Sequence, residues 1–177
     1  MKRMNVRQIT LAAMVAALYA VMCYFGNIFG LTYLGVQFRF AEVLCVLPFL
    51  FPSTVPGLFV GCLIANVLSP YGPLDMVVGS LATLLAALWT SKMPNKWLAP
   101  LPPVICNMVL VGFTIAFAET YLPGQGLSAA FPVAWLYNGF TVGLGELGVC
   151  YALGLPLLTF LPKVRSIQSM IAPARLP

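Results

Sequence analysis

Val36-Gln37-Phe38-Arg39-Phe40-Ala41-Glu42-Val43-Leu44-Cys45-Val46-Leu47-Pro48-Phe49 is the stretch on which the reading of this chain turns. An arginine and a glutamate stand three residues apart at the head of an apolar run that reads as membrane-buried. The other acids of the chain are Asp75, Glu119 and Glu146. A charge at the centre of a membrane helix costs roughly 2.5–3.5 kcal/mol on insertion scales. It therefore tends to face a cavity or a partner and marks a functional position by default. Two readings stand side by side: Arg39 and Glu42 neutralise each other as (i, i+3) neighbours on a helix, or they face a ligand. Both can hold at once.

Composition sets the class. Of 177 residues, 61% are hydrophobic and 7% charged, and the mean hydropathy is +0.97. A soluble domain carries about 25% charged residues, so the chain reads as an all-α integral membrane protein forming a single transmembrane domain over residues 1–177. Spans of about 20 apolar residues each leave room for about five or six crossings and no large aqueous domain. Histidine is absent, which removes the commonest general base and the commonest metal ligand. Cys23, Cys45, Cys62, Cys106 and Cys150 lie singly in apolar runs without C-x-x-C spacing and read as small buried hydrophobes. No enzymatic activity, catalytic residue, metal site or cofactor is expected. The net charge of +5 does not point to nucleic acid, because the cations gather at the chain ends and in one short loop.

Six spans are expected, at about residues 9–25, 38–51, 57–68, 74–90, 98–118 and 132–161. The first follows the basic head Lys2, Arg3, Arg7 and is too long for the apolar region of a signal peptide, so it reads as a retained helix. It carries Ala12, Ala16 and Ala20 at four-residue spacing, a small-residue face that lets another helix approach closely, within the subunit or from a partner. Residues 26–37 read as a loop or a partly buried re-entrant stretch. The second and third spans are short and call for tilt or for shielding by neighbours. Gly57 and Gly61 repeat the small-residue spacing, and Asn66 closes the third span. Asp75 falls in the first turn of the fourth, where helix capping and ligand contact are both open. Asn107 lies near the middle of the fifth span, either as interhelical glue or as a ligand contact. Residues 119–131 read as a loop. The sixth span is too long for one straight crossing and is expected to tilt, project or bend near Gly154-Leu155-Pro156. It opens with Trp135, Tyr137 and Asn138 and carries Glu146 near its middle among Gly143, Gly145 and Gly148.

Six crossings put both termini on one side. With that side cytoplasmic, Lys2, Arg3, Arg7, Lys92, Lys96, Lys163, Arg165 and Arg175 are all inside, eight of the nine basic residues, as the positive-inside rule requires. Glu42, Asn66, Asp75, Glu119, Trp135 and Asn138 then lie at outer span ends, with Asn107 and Glu146 deeper. That arrangement predicts an outward-facing pocket for a small polar, planar or cationic molecule in a multi-pass protein of the cell membrane.

Three ordered blocks carry a family likeness: residues 36–49 quoted above, Val55-Pro56-Gly57-Leu58-Phe59-Val60-Gly61-Cys62-Leu63-Ile64-Ala65-Asn66, and Leu74-Asp75-Met76-Val77-Val78-Gly79-Ser80-Leu81-Ala82-Thr83-Leu84-Leu85-Ala86-Ala87-Leu88. The chain resembles the QueT family, substrate-binding S components of energy-coupling factor (ECF) transporters associated with uptake of queuosine precursors. The resemblance implies a six-helix bundle of the ECF S-component type in the cytoplasmic membrane of a prokaryote, with both termini cytoplasmic. It implies a shared transmembrane T component and two cytoplasmic ATPase subunits as partners, with Ala12, Ala16 and Ala20 as the docking face. The chain has no Walker-type G-x-x-x-x-G-K-[ST] of its own. The implied substrate is a 7-deazaguanine such as preQ1. Glu42, Asp75 and Glu146 are the candidate acids for it, Arg39, Asn66, Asn107 and Asn138 the candidate donors, and Trp135 and Tyr137 the candidate stacking aromatics. Another vitamin-like ligand, or a small self-contained carrier, is the alternative. A self-contained carrier can be built from internal repeats with matched broken helices, and the two halves show no convincing repeat.

Overall fold

The computed structural model describes residues 4–29 and 39–171 together with Arg175. Asn5 opens helix α1 (Val6–Ile28) with a capping box: its side chain accepts from the Gln8 amide at 2.9 Å, and Gln8 Oε1 accepts from the Asn5 amide at 3.0 Å. At 23 residues, α1 is about 34 Å long. It runs three residues past the expected span end, so 26–28 are helical and Phe29 is the C-cap, and residues 30–37 of the expected loop lie outside the described residues.

The segment expected as a second α-helix is instead a 3₁₀ helix, Phe40–Phe49. Its rise of about 2 Å per residue draws ten residues out to roughly 20 Å. Ala41 to Phe49 are buried without a break, so this is a central rod shielded on every side, which is why so short a segment is tolerated. A 3₁₀ turn, Pro52–Thr54, leads into α2 (Val55–Asn66), and the turn Ser69-Pro70-Tyr71 leads into α3 (Gly72–Thr90). The fifth expected span is α4 (Leu101–Cys106), a π-helical segment (Asn107–Val111) and α5 (Gly112–Thr120). Pro102 and Pro103 sit in its first turn, where a missing N–H costs no hydrogen bond.

Residues 119–131, expected as a loop, hold the end of α5 and a small hairpin of β1 (Tyr121–Leu122) and β2 (Gly126–Leu127). The hairpin turns on Gly124 (φ 82°) and Gly126 (φ 83°), in the backbone region that favours glycine. The last span comprises α6 (Phe131–Val149), a second π segment (Cys150–Gly154), α7 (Leu155–Phe160) and a 3₁₀ turn, before the short α8 (Arg165–Gln168). The expected irregularity near Gly154-Leu155-Pro156 is thus a π-helical turn just ahead of Pro156, whose ring nitrogen has no hydrogen to donate to the turn before it.

Among the described residues, four helical stretches are long and apolar enough to cross a membrane: Val6–Ile28, Gly72–Thr90, Leu101–Thr120 and Phe131–Lys163. The other two expected spans, Phe40–Phe49 and Pro52–Asn66, are shorter apolar helices. The protein is therefore a predominantly helical membrane protein with its polarity turned inward. Leu18, Leu85, Val109, Phe140 and Leu147 face outward, while Glu42, Asp75, Asn107 and Glu146 have no exposed surface at all. Water would favour the reverse, and lipid favours this.

Glycine sets the helix spacing. A Cβ on Gly57 would lie 2.1 Å from the Ala12 carbonyl oxygen, and one on Gly61 would lie 2.7 Å from that of Ala16. The small-residue faces of α1 and α2 therefore meet each other, bringing backbone onto backbone. Gly112 and Gly139 seat α5 on α6 in the same way, with a Cβ on the first 2.6 Å from the Cα of the second. The larger apolar core gathers Val15, Tyr19, Val46, Leu58, Val149 and Leu158 around the 3₁₀ rod. One cavity is lined by both Asn5, Gln8 and Ser169, Met170, so the start and finish of the described chain share one end of the bundle.

Candidate functional site

Three of the four acids are carried into the bundle interior by different elements. Glu42 comes from the 3₁₀ rod, Asp75 from the first turn of α3 and Glu146 from the middle of α6, and each side chain is fully buried. A buried carboxylate must be satisfied by donors or by a cation, so their partners define the site.

Glu42 does not pair with Arg39. Arg39 stands outside the helix as its N-cap, with φ −87° and ψ 85°, so the (i, i+3) geometry expected from a continuous helix does not form. Glu42 Oε1 instead accepts from the Tyr19 hydroxyl at 2.5 Å, and Oε2 accepts from the Cys45 thiol at 2.9 Å. Arg39 turns to Asp75, with Nη2 to Oδ2 at 3.6 Å, and its side chain keeps 10% of its surface exposed.

Asp75 is not a cap: α3 begins with no side-chain cap hydrogen bond. Its Oδ2 accepts from Ser69 Oγ at 2.5 Å, and its backbone carbonyl accepts from Asn66 Nδ2 at 3.0 Å. Gly79 leaves the room for this, since a Cβ there would lie 2.7 Å from Asp75 Oδ1 and 2.8 Å from Asn66 Nδ2. Asp75 Oδ1 is buried and accepts no hydrogen bond.

Glu146 Oε1 accepts from Asn107 Nδ2 at 2.9 Å. Asn107 opens the first π segment and Glu146 lies one turn ahead of the second, so the contact links two irregular turns, a feature frequent at functional sites. The Cys150 thiol lies 3.7 Å from Glu146 Oε2 and 3.6 Å from the Glu42 backbone carbonyl, joining the two acids' surroundings. Asn107 Oδ1 is a second buried acceptor without a donor.

Arg39, Glu42, Asn66, Asp75, Asn107 and Glu146 thus belong to the pairings of the three buried acids, and three other candidates do not. Trp135 donates to the Val109 carbonyl at 3.0 Å and packs edge-on against Phe113, on the α5–α6 seam. Asn138 donates to Glu119 Oε2 at 2.7 Å on the same seam. Tyr137 is 64% exposed. The structure also adds residues that the sequence reading passed over. Tyr19 lies on the buried face of α1 that carries Ala12 and Ala16. Ser69 stands in the turn before Asp75, and Cys45 and Cys150 follow Glu42 and Glu146 by three and four residues. That spacing was visible, but a cysteine in an apolar run signals packing unless the neighbouring acid is known to be buried.

Ala12 and Ala16 are buried against α2, Ala20 is half-buried, and Ala13 and Ala17 are exposed. Ala12 and Ala16 with Gly57 form the floor of an apolar groove of about 320 Å³ between α1 and α2, edged by the exposed Ala13 and flanked by Ile9 and Val60.

A sequence profile of the family described as QueT transporter matches residues 9–163. The queuosine precursor transporter QueT of Lactococcus lactis subsp. cremoris (strain MG1363) is 33% identical over 85 residues, which cover 48% of this chain and 50% of that protein. The chain thus spans about half the length of the curated relative it matches. No solved structure matches it. Since the profile takes in well over half of the sequence, from the first helix to the 3₁₀ turn after α7, the chain belongs to the QueT transporter family, a family of transporters rather than enzymes.

Proposed function

We propose that this protein is the substrate-binding S component of an ECF transporter, capturing a queuosine precursor of the 7-deazaguanine type, such as preQ1, from outside the cell. One observation carries the substrate class: among the described residues the interior holds three buried carboxylates against one guanidinium, and Asp75 Oδ1 and Asn107 Oδ1 are among the buried acceptors that lack donors. Such a site is short of positive charge and of N–H groups. An aminomethyl-deazaguanine supplies both, through its ammonium group, its N1–H and its 2-amino group. Glu42, Asp75 and Glu146 are the acids in this reading, and Arg39 or an asparagine amide donates to the ring carbonyl. Tyr19, which already touches Glu42, takes the aromatic place that Trp135 and Tyr137 do not reach here.

In this reading the shared end of the described chain, with its basic residues, is cytoplasmic. The two short apolar helices complete six crossings behind the shield of their neighbours. A T component and a pair of ATPases supply the energy.

Titration of preQ1 into the purified protein, with guanine and thiamine as competitors, tests the substrate. Saturable preQ1 binding displaced weakly or not at all by thiamine is expected, and thiamine binding in preference to preQ1 would replace the substrate. Docking on α1 is tested at the exposed Ala13 and Ala17 rather than at the groove floor. Ala13→Leu and Ala17→Leu should each lower recovery of the T component in co-purification while ligand affinity stays unchanged. Full recovery with both would remove α1 from the docking surface.

A further inference from the structure

A second cavity, of about 320 Å³, opens at the end of the bundle that the start and finish of the described chain share, between the foot of the 3₁₀ rod and α7. Its floor is apolar, with Phe49, Leu50 and Leu158, and its rim carries Lys96, Lys163 and Arg175. The Arg175 guanidinium lies 4.3 Å from the centre of the Phe49 ring and donates to the carbonyls of Pro94 and Ser91, which fixes it over the opening. None of the three cations pairs with a carboxylate among the described residues. The acid nearest along the rod, Glu42, lies seven residues up from Phe49, roughly 14 Å at the 3₁₀ rise. Trp97, 63% exposed, and Phe160, also 63% exposed, lie beneath Lys96 and Lys163, as aromatic residues do at the depth of lipid headgroups.

Three cations with no carboxylate partner among the described residues, set above an apolar floor, have one complementary ligand at that depth: a phosphodiester with hydrocarbon attached. We infer that this cavity is a binding site for an anionic phospholipid, with the phosphate held by Lys96, Lys163 and Arg175 and the upper part of an acyl chain lying on Leu50 and Leu158. Basic pockets between membrane helices recognise headgroups by this chemistry. The inference rests on the membrane location and not on the identity of the transported substrate.

Native mass spectrometry of the full-length protein in detergent, with phosphatidylglycerol or phosphatidylcholine added, tests it. Phosphatidylglycerol adducts should persist under conditions that strip phosphatidylcholine. The variant Lys96→Gln/Lys163→Gln/Arg175→Gln should lose them by at least about tenfold, since each cation near an anionic headgroup contributes roughly a factor of five. The variant Arg7→Gln/Lys92→Gln/Arg165→Gln, with the same charge change outside the cavity, should keep them. Equal loss in both variants, equal retention of the two lipids, or displacement of the lipid by excess inorganic phosphate would each overturn the site. So would protection of Lys96 and Lys163 from chemical labelling by a protein partner but not by the lipid.

Discussion

Replacing Gly57 by alanine will lower the thermal stability of the purified protein by several degrees and loosen α1 from α2. The new methyl would sit 2.1 Å from a backbone carbonyl oxygen, that of Ala12, and no rotamer change can move a carbonyl held in the middle of a helix. The helices must separate, and overpacking of this kind typically costs about 1–3 kcal/mol, or about 2–12 °C for a chain of this length. Separation would also shift Tyr19, which shares the α1 face with Ala12 and Ala16 and holds Glu42. Gly124→Ala is the matched comparison. It has φ 82° but nothing within 4 Å of the added methyl, so its cost is confined to left-handed backbone strain of about 1 kcal/mol in an exposed hairpin. A detergent melting curve for both variants decides the matter. A Gly57→Ala protein that melts with the wild type would mean the two helices do not approach this closely.

The second large effect is expected at Glu42. Glu42→Gln keeps the size of the side chain and can still accept from Tyr19, but it removes one negative charge and turns an amide toward the Cys45 thiol. A charge-assisted hydrogen bond contributes about 1.5–3 kcal/mol, so preQ1 binding should weaken by more than about tenfold. Tyr19→Phe serves as the control because it removes a donor while leaving the carboxylate charged; its effect on affinity should be the smaller of the two. Isothermal titration on both variants, with a melting curve to show that each is folded, separates loss of charge from loss of structure. Unchanged affinity in Glu42→Gln would take that carboxylate out of the ligand's reach.

The inward-turned polarity gives both results a common basis. A soluble protein can leave an acid at its surface at little cost, whereas a lipid-facing surface cannot carry one. Burial of three acids with a single arginine therefore commits the bundle to an interior network, and that network lacks donors at Asp75 Oδ1 and Asn107 Oδ1. The glycines are part of the same arrangement. Gly79 clears space beside Asp75 and Asn66, while Gly57 and Gly61 bring α1 near enough for Tyr19 to meet Glu42.

Composition and hydropathy alone determined the membrane class, long apolar spans expected at about 9–25, 74–90, 98–118 and 132–161, the collection of cations at the chain ends and the 92–96 loop, and the short list of acids that must be buried. These are properties of neighbouring residues, and lipid enforces them on each segment separately. The pairings belong to tertiary structure. Glu42 meets Tyr19 from 23 residues away, Asn107 meets Glu146 from 39, and Cys150 reaches the Glu42 carbonyl from 108. Whether Arg39 turns to Glu42 or to Asp75 depends on where the 3₁₀ rod begins, and whether Ala12 and Ala16 face a partner or α2 depends on the helix beside them. A hydrogen bond needs its atoms within about 3 Å of one another, and in a bundle that distance is set by how helices far apart in the chain pack together.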